Sequence, residues 1–233
     1  MKIVRSFIRK IHLWLSIPFG IFLIVSLFTG AILVFEKDIV SSADNGGIVS
    51  SIGWSNPQPF FKSVMQLHRW LFDHPESRAD ITLGRLVVGV STIASSIILI
   101  SGVFLWFPRK YKSLSSRIKI SRKNGLRQFM YSWHITMGIF SVLFLLLMSL
   151  TGPVWTFEWY RNIVFDILPE SDNIMKTVYA LHTGNWGGYV MKTIYCLSAL
   201  TGVTLILSGY YLWFKRLYHT KHNLCKQERK MHS

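Results

Sequence analysis

Acidic residues are scarce in this 233-residue chain: 11 Asp and Glu stand against 26 Lys and Arg, and charged residues of both signs make up only 16%. Half of the residues are hydrophobic and they are gathered into blocks, so a water-soluble fold would need four helices apolar on all sides in a small protein. Only two cysteines occur, Cys196 and Cys225. One lies in an apolar run and the other in a basic tail, so a structural disulfide is not expected. No CxxCH is present, which excludes covalent c-type haem attachment by that motif. A Rossmann glycine pattern, a Walker loop, HExxH and GxSxG are also missing, so the chain has no nicotinamide site, ATPase or hydrolase centre of its own to expect.

The apolar residues fall into four blocks, Ile11–Phe35, Arg85–Phe107, Trp133–Phe157 and Val190–Phe214. Each exceeds the roughly 20 residues that cross a hydrocarbon core, and a helix satisfies its own backbone there. The expected fold is an all-α membrane protein with four transmembrane helices. The first block follows Lys2, Arg5, Arg9 and Lys10 as a secretory signal would. It is too long for one, however, and runs into Phe35-Glu36-Lys37 without a small-residue cleavage site, so it reads as a retained helix.

The net charge of +15 is unevenly spread. Segments 1–10, 108–128 and 215–233 hold 18 of the 26 basic residues and one acid, Glu228, whereas 36–84 and 158–189 hold the other ten acids. That asymmetry places both termini and the middle loop in the cytoplasm of a multi-pass protein of the bacterial inner membrane. The basic runs face anionic lipid, and no nucleic-acid partner is expected.

The chain also repeats itself. His12 precedes Gly30 and Glu36 at the spacing by which His134 precedes Gly152 and Glu158, and Thr29–Glu36 and Thr151–Glu158 share Thr-Gly-x-x-x-x-Phe-Glu. Ser101-Gly102-Val103-Phe104-Leu105-Trp106-Phe107, with Arg109, matches Ser208-Gly209-Tyr210-Tyr211-Leu212-Trp213-Phe214, with Arg216. Leu67-His68 and Leu181-His182 stand ahead of these helices. The organisation is therefore a first hairpin over 1–107, a basic loop over 108–132, a second hairpin over 133–214 and a basic tail over 215–233. Two hairpins of one orientation pack about a pseudo-two-fold axis along the membrane normal. Such an axis sets His12 opposite His134 near the cytoplasmic face and His68 opposite His182 near the outer face. The last two are expected on short outer helices, Pro59–Phe72 and Met175–Thr183.

Ionisable side chains in a membrane interior are costly and usually functional. Neutral imidazole is a common axial ligand of haem iron, and two facing histidines would saturate a b-type haem. Eighteen residues make five helical turns, so His12 shares a face with Gly30 and His134 with Gly152. Ser16, Gly20 and Gly138 add small residues there, leaving room for a macrocycle or for close helix packing. Arg9, Lys10 and Arg127 near one pair, and Arg69, Arg85 and Lys192 near the other, are candidate propionate contacts. The bland reading of these residues is interfacial anchoring. Eight of the nine tryptophans fall near membrane interfaces, where aromatic belts are expected. Glu36 and Glu158 are either proton or ligand contacts or ordinary interfacial carboxylates. His74 reads as a solvated loop residue, and His219, His222 and Cys225 form only a loose metal-site spacing.

With these motifs, His12 with Thr29-Gly30, Leu67-His68-Arg69-Trp70-Leu71-Phe72, His134 with Thr151-Gly152, Leu181-His182-Thr183-Gly184 and the two Ser-Gly-x-x-Leu-Trp-Phe ends, the sequence resembles the PepSY-associated transmembrane family. Within it, the chain looks like the inner-membrane dihaem ferrisiderophore reductases of the FoxB type. The resemblance covers nearly the whole chain. It implies two b haems with His12, His68, His134 and His182 as axial ligands, a cytoplasmic or membrane electron donor, and a ferric siderophore as periplasmic acceptor. The outer loop, 36–84, is too short for the large periplasmic domain of some relatives. Docking would then fall to loop residues such as Trp54, Phe60, Phe61 and Trp186. Two rival readings stand beside this one: a b-type cytochrome with a quinone or other acceptor, and a haem-free membrane scaffold or uptake accessory. Pairing of the histidines within each hairpin is a further alternative.

Overall fold

The computed structural model describes residues 2–73, 76–77, 80–108, 117–123, 125–167 and 173–231, with side chains of the last helix to Tyr218. His74, Arg109 and the side chains of His219, His222 and Cys225 lie outside the described residues. The described secondary structure is helical throughout. Four long helices carry the apolar blocks: α1 (Lys2–Leu33), α5 (Leu83–Trp106), α6 (Gly125–Thr151) and α9 (Gly188–Met231). All four are long and apolar enough to cross a membrane. Only about a fifth to a third of each apolar window is buried within the protein. The remaining apolar surface faces outward, as a lipid-facing helix requires.

α1 packs on α5 and α9, and α6 packs on the same two, so α1 and α6 sit diagonally across the bundle. Small side chains allow this approach. The buried face of α5 is Gly84, Gly89, Ser91, Ala94, Ser96 and Ser101. Ser96 also donates to the Ser149 hydroxyl of α6 at 3.0 Å; such interhelical bonds contribute about 0.6 kcal/mol on average in membranes.

Short helices connect the long ones: α2 (Glu36–Asp44), α3 (Ile48–Ser51) and α4 (Gln58–Trp70) after α1, then α7 (Glu158–Ile167) and α8 (Ile174–Thr183) after α6. α4 and α8 lie within two residues of the expected short helices. α4 packs on α1 and α5, and α8 on α6. α4 ends abruptly: Leu71 and Phe72 adopt left-handed backbone, φ 52° and 65°, at roughly 1–2 kcal/mol each for such residues. The turn is pinned to the start of α5, where the Gly84 N–H donates to the Asp73 carboxylate at 2.8 Å and the Thr82 hydroxyl donates to the Asp73 carbonyl at 3.0 Å.

The duplicated helices differ in one respect. α1 runs through Gly30 to Leu33, whereas α6 stops at Thr151 and a 3-10 turn occupies Gly152–Trp155. Ala31 of the first repeat is replaced by Pro153, which lacks the N–H needed to continue an α-helical ladder. The expected third span thus ends as an α-helix six residues before Phe157.

Candidate functional site: two cross-repeat histidine pairs

Each of the four histidines leans on a hydroxyl from a neighbouring helix. His12 of α1 places Nδ1 2.9 Å from Ser101 Oγ and 3.0 Å from the Ile98 carbonyl, both on α5. His134 of α6 meets Ser208 Oγ and the Leu205 carbonyl of α9 in the same way, each at 3.0 Å. His68 of α4 places Nδ1 2.9 Å from Thr29 Oγ1 on α1, and His182 of α8 sits 2.9 Å from Thr151 Oγ1 on α6. The Ser26 and Met148 carbonyls are additional acceptors for the latter two rings.

A carbonyl only accepts, so these contacts put the proton on Nδ1 of every ring. The hydroxyls have spent their own protons on backbone carbonyls: Ser101 on Ile98, Ser208 on Leu205, Thr29 on Val25 and Thr151 on Leu147. Nε2 is left with a lone pair in all four cases, the state in which imidazole binds a metal.

The glycine following each hydroxyl residue faces the ring, most closely at Gly30, where a Cβ would lie 3.2 Å from His68 Cε1. At Gly102, Gly209 and Gly152 a Cβ would be in ordinary contact with His12, His134 and His182, at 3.4, 3.6 and 3.7 Å from Cε1, and at Gly152 the tight neighbour is Thr92 Cγ2 at 2.7 Å. The repeated Thr-Gly and Ser-Gly motifs are therefore histidine seats. Gly30 and Gly152 line the same cavity as His12 and His134 and at the same time border the rings of the other pair. Gly20 lines it too, and also allows close packing, since a Cβ there would lie 2.5 Å from the Tyr210 hydroxyl.

Every seat lies within one repeat, yet the rings meet across repeats. His12 and His134 have ring centroids 6.4 Å apart at 86°, and His68 and His182 6.4 Å apart at 60°. A metal–imidazole bond of about 2.0–2.1 Å on each side, with the donor nitrogen roughly 1.1 Å from its ring centroid, predicts a centroid separation of about 6.3 Å. All four rings line one cavity of about 1410 Å³, larger than the roughly 300–1,000 Å³ of a single small-molecule site. Among the described residues, no group of three or more His, Cys, Asp or Glu converges to complete a metal shell. Each couple offers two imidazoles as candidate metal ligands.

His68 and His182 stand on short helices outside the spanning segments. Burial holds His68 down to about 4 and His182 to about 3, the neighbouring His68 adding to the latter. Both are neutral at pH 7. Their folded values lie below the ordinary 6.5, so the stability they contribute is complete above pH 6.5 and is lost as pH falls toward 4, where the unfolded chain takes up protons that the folded one refuses. With two such groups the slope approaches roughly 2.7 kcal/mol per pH unit. The unfolding midpoint of the metal-free protein in detergent should drop between pH 7.5 and 5, and replacing both histidines by glutamine should flatten that dependence.

The other candidates divide. Arg9 and Arg127 line the cavity with His12 and His134, and Arg69 and Arg85 line it with His68 and His182. Lys10 is exposed and does not line it. Lys192 is a clear correction: it is buried, paired with Asp38 at 2.6 Å and positioned over the Tyr189 ring, so its charge is already neutralised away from the cavity. Trp54, Phe60 and Phe61 form an aromatic cluster. Phe61 is only 1% exposed, too deep to touch a docked molecule, while Trp54, Phe60 and Trp186 present 37%, 45% and 52% of their surface. Glu36 lines the cavity, and Glu158 is exposed outside it.

Arg5 and Arg117 were not anticipated. Both line the cavity and donate to carbonyls at the end of α5, Arg5 to Leu105 and Phe107 and Arg117 to Leu105 and Trp106, capping that helix with positive charge. A signal for Arg5 existed, because it precedes His12 by seven residues as Arg127 precedes His134.

These features define a multi-pass helical membrane protein built around an interior site of paired imidazoles. The chain belongs to the PepSY-associated TM region family, which it matches over residues 41–170 and 163–216. No curated protein and no solved structure matches it.

Proposed function

We propose that the protein is a transmembrane electron carrier of the bacterial inner membrane that holds two b-type haems and reduces a ferric siderophore on the periplasmic side. His12 and His134 would hold one haem, and His68 and His182 the other. The observation that carries this reading is the pair of imidazole couples at 6.4 Å in one cavity, each ring with its Nδ1 engaged by a neighbouring helix. Bound there, haem iron supplies reversible one-electron chemistry.

The chain's own residues have distinct tasks. Ser101, Ser208, Thr29 and Thr151 anchor Nδ1 of each ring and so set the histidine tautomer. Arg9 and Arg127 at one end, and Arg69 and Arg85 at the other, offer guanidinium groups suited to the cofactor carboxylates. The charge asymmetry of the loops supports a cytoplasmic His12–His134 end, where a cytoplasmic or membrane donor delivers electrons. Trp54, Phe60 and Trp186 are the proposed docking surface for the ferric chelate, with Phe61 supporting them from beneath. Ferrous iron is held less tightly by hard oxygen ligands and leaves the siderophore.

Detergent-purified protein from haem-replete cells should give sharp Soret and alpha bands on dithionite reduction, and pyridine haemochromogen analysis should count two haems per chain. The reduced protein should be reoxidised faster by ferrioxamine-like chelates than by quinones. A colourless preparation overturns the haem assignment, and faster reoxidation by quinones overturns the acceptor. Thr29→Val removes one acceptor of the His68 Nδ1–H while keeping the side-chain shape. Its expected effect is a 10- to 100-fold weaker hold on one haem, the range for such supporting bonds, with Thr29→Ser close to wild type. Haem titration of the apoprotein measures both.

A further inference from the structure

The two histidine pairs share their seats but not their neighbours. Trp155 packs against the His182 ring with centroids 5.1 Å apart at 61°. An edge-to-face contact of this kind contributes about 0.5–1.5 kcal/mol beyond area burial. In the first repeat the corresponding position, four residues after the seat threonine, is Leu33. The indole stands on the second-repeat side of the outer pair only.

The local backbone explains how Trp155 reaches the ring. Pro153 ends α6, and the Gly152–Trp155 turn that follows is wound as a 3-10 helix. Pro153 and Val154 are the buried residues of this turn. The Trp155 carbonyl accepts from Arg85 Nη2 of α5 at 2.6 Å, and the same guanidinium donates to the Asp80 carbonyl at 2.9 Å. On the other side of the turn, Thr156 and Phe157 press against Gly89 of α5, where a Cβ would lie 2.5 Å from Thr156 Cγ2. The main chain that carries the indole is thus held by α5 and not by His182.

From this geometry we infer that Trp155 is a positioning residue: it fixes the rotation of the His182 ring and makes the two axial ligands of the outer haem inequivalent. This rests on the haem reading given above. The angle between ligand planes is 60° in this pair and 86° in the other. Ring orientation and second-shell contacts are levers by which a protein tunes haem iron.

The experiment uses the full-length, haem-loaded protein with Trp155→Leu, which restores the first-repeat residue, and Trp155→Phe, which retains an aromatic ring. Three readouts are taken: haem count, the low-spin ferric EPR signal, whose anisotropy follows the angle between the imidazole planes, and a potentiometric titration. Trp155→Leu should keep two haems, change one of the two EPR signals and shift one midpoint by a threefold change in its one-electron constant, about 28 mV. Trp155→Phe should return both toward wild type. Selective loss of one haem in the leucine variant, with retention in the phenylalanine variant, supports the same role. Two haems with wild-type EPR and potentials in Trp155→Leu, or haem loss from both variants, overturns it. A haem-free wild type overturns the parent reading instead.

Discussion

The double variant His12→Ala/His134→Ala should retain one haem per chain, the same as either single variant, whereas His12→Ala/His68→Ala should retain none. The contrast follows from where the rings meet. His12 faces His134 and His68 faces His182, each at 6.4 Å, so removing two ligands from one couple damages one site, and removing one from each couple damages both. Residues that act on one site are non-additive, and residues on separate sites add. Pairing within each hairpin predicts the reverse: one haem in His12→Ala/His68→Ala and none in His12→Ala/His134→Ala. Haemochromogen counts on the purified variants decide between the two. The spanning helices should survive all three substitutions, because none of the imidazoles supplies the apolar surface that holds the bundle in lipid. Far-ultraviolet circular dichroism provides that control.

Gly84→Ala should abolish the His68–His182 site while leaving the other intact. A Cβ at Gly84 would fall 1.9 Å from the Trp70 carbonyl oxygen and 2.8 Å from Asp73 Cβ. The first obstacle is backbone, so no side-chain rotation relieves it. α4 must move away from α5 by more than an ångström, and His68 lies two residues before Trp70. The same shift breaks the 2.8 Å bond from the Gly84 N–H to Asp73, which pins the left-handed turn at Leu71 and Phe72. Overpacking of this sort costs about 1–3 kcal/mol or more, and ligand geometry tolerates far less displacement than folding does. The expected readout is one haem per chain with normal expression. Leu143→Ala is the control: Leu143 is 60% exposed on α6 and does not line the cavity, so it should retain two. Loss of both haems in Gly84→Ala would show that α4 supports the whole bundle and not one site.

The repeat in the sequence made much of the site legible. His12 and His134, and His68 and His182, were paired from matched positions alone, and the four apolar blocks became the four long helices. The use of Thr-Gly and Ser-Gly was not legible, since a small polar residue before glycine in a membrane helix reads equally well as packing. Lys192 illustrates the limit for charge. In the sequence it is a cation near the outer pair, and only the approach of Asp38, 154 residues earlier, removes it from the site. Phe61 is similar, because nothing local distinguishes it from Phe60, yet one faces the interior and the other outward.

Length and hydropathy determined by themselves that this chain crosses the membrane, because a run of more than about 20 apolar residues has no cheaper place to go. Duplication determined which histidines correspond. Only the tertiary structure decided which atoms of those histidines are free, which glycines receive them and where Pro153 turns the second repeat away from the first. Those outcomes depend on distances between residues far apart in the chain, and spacing along a helix carries no information about what a neighbouring helix brings to it.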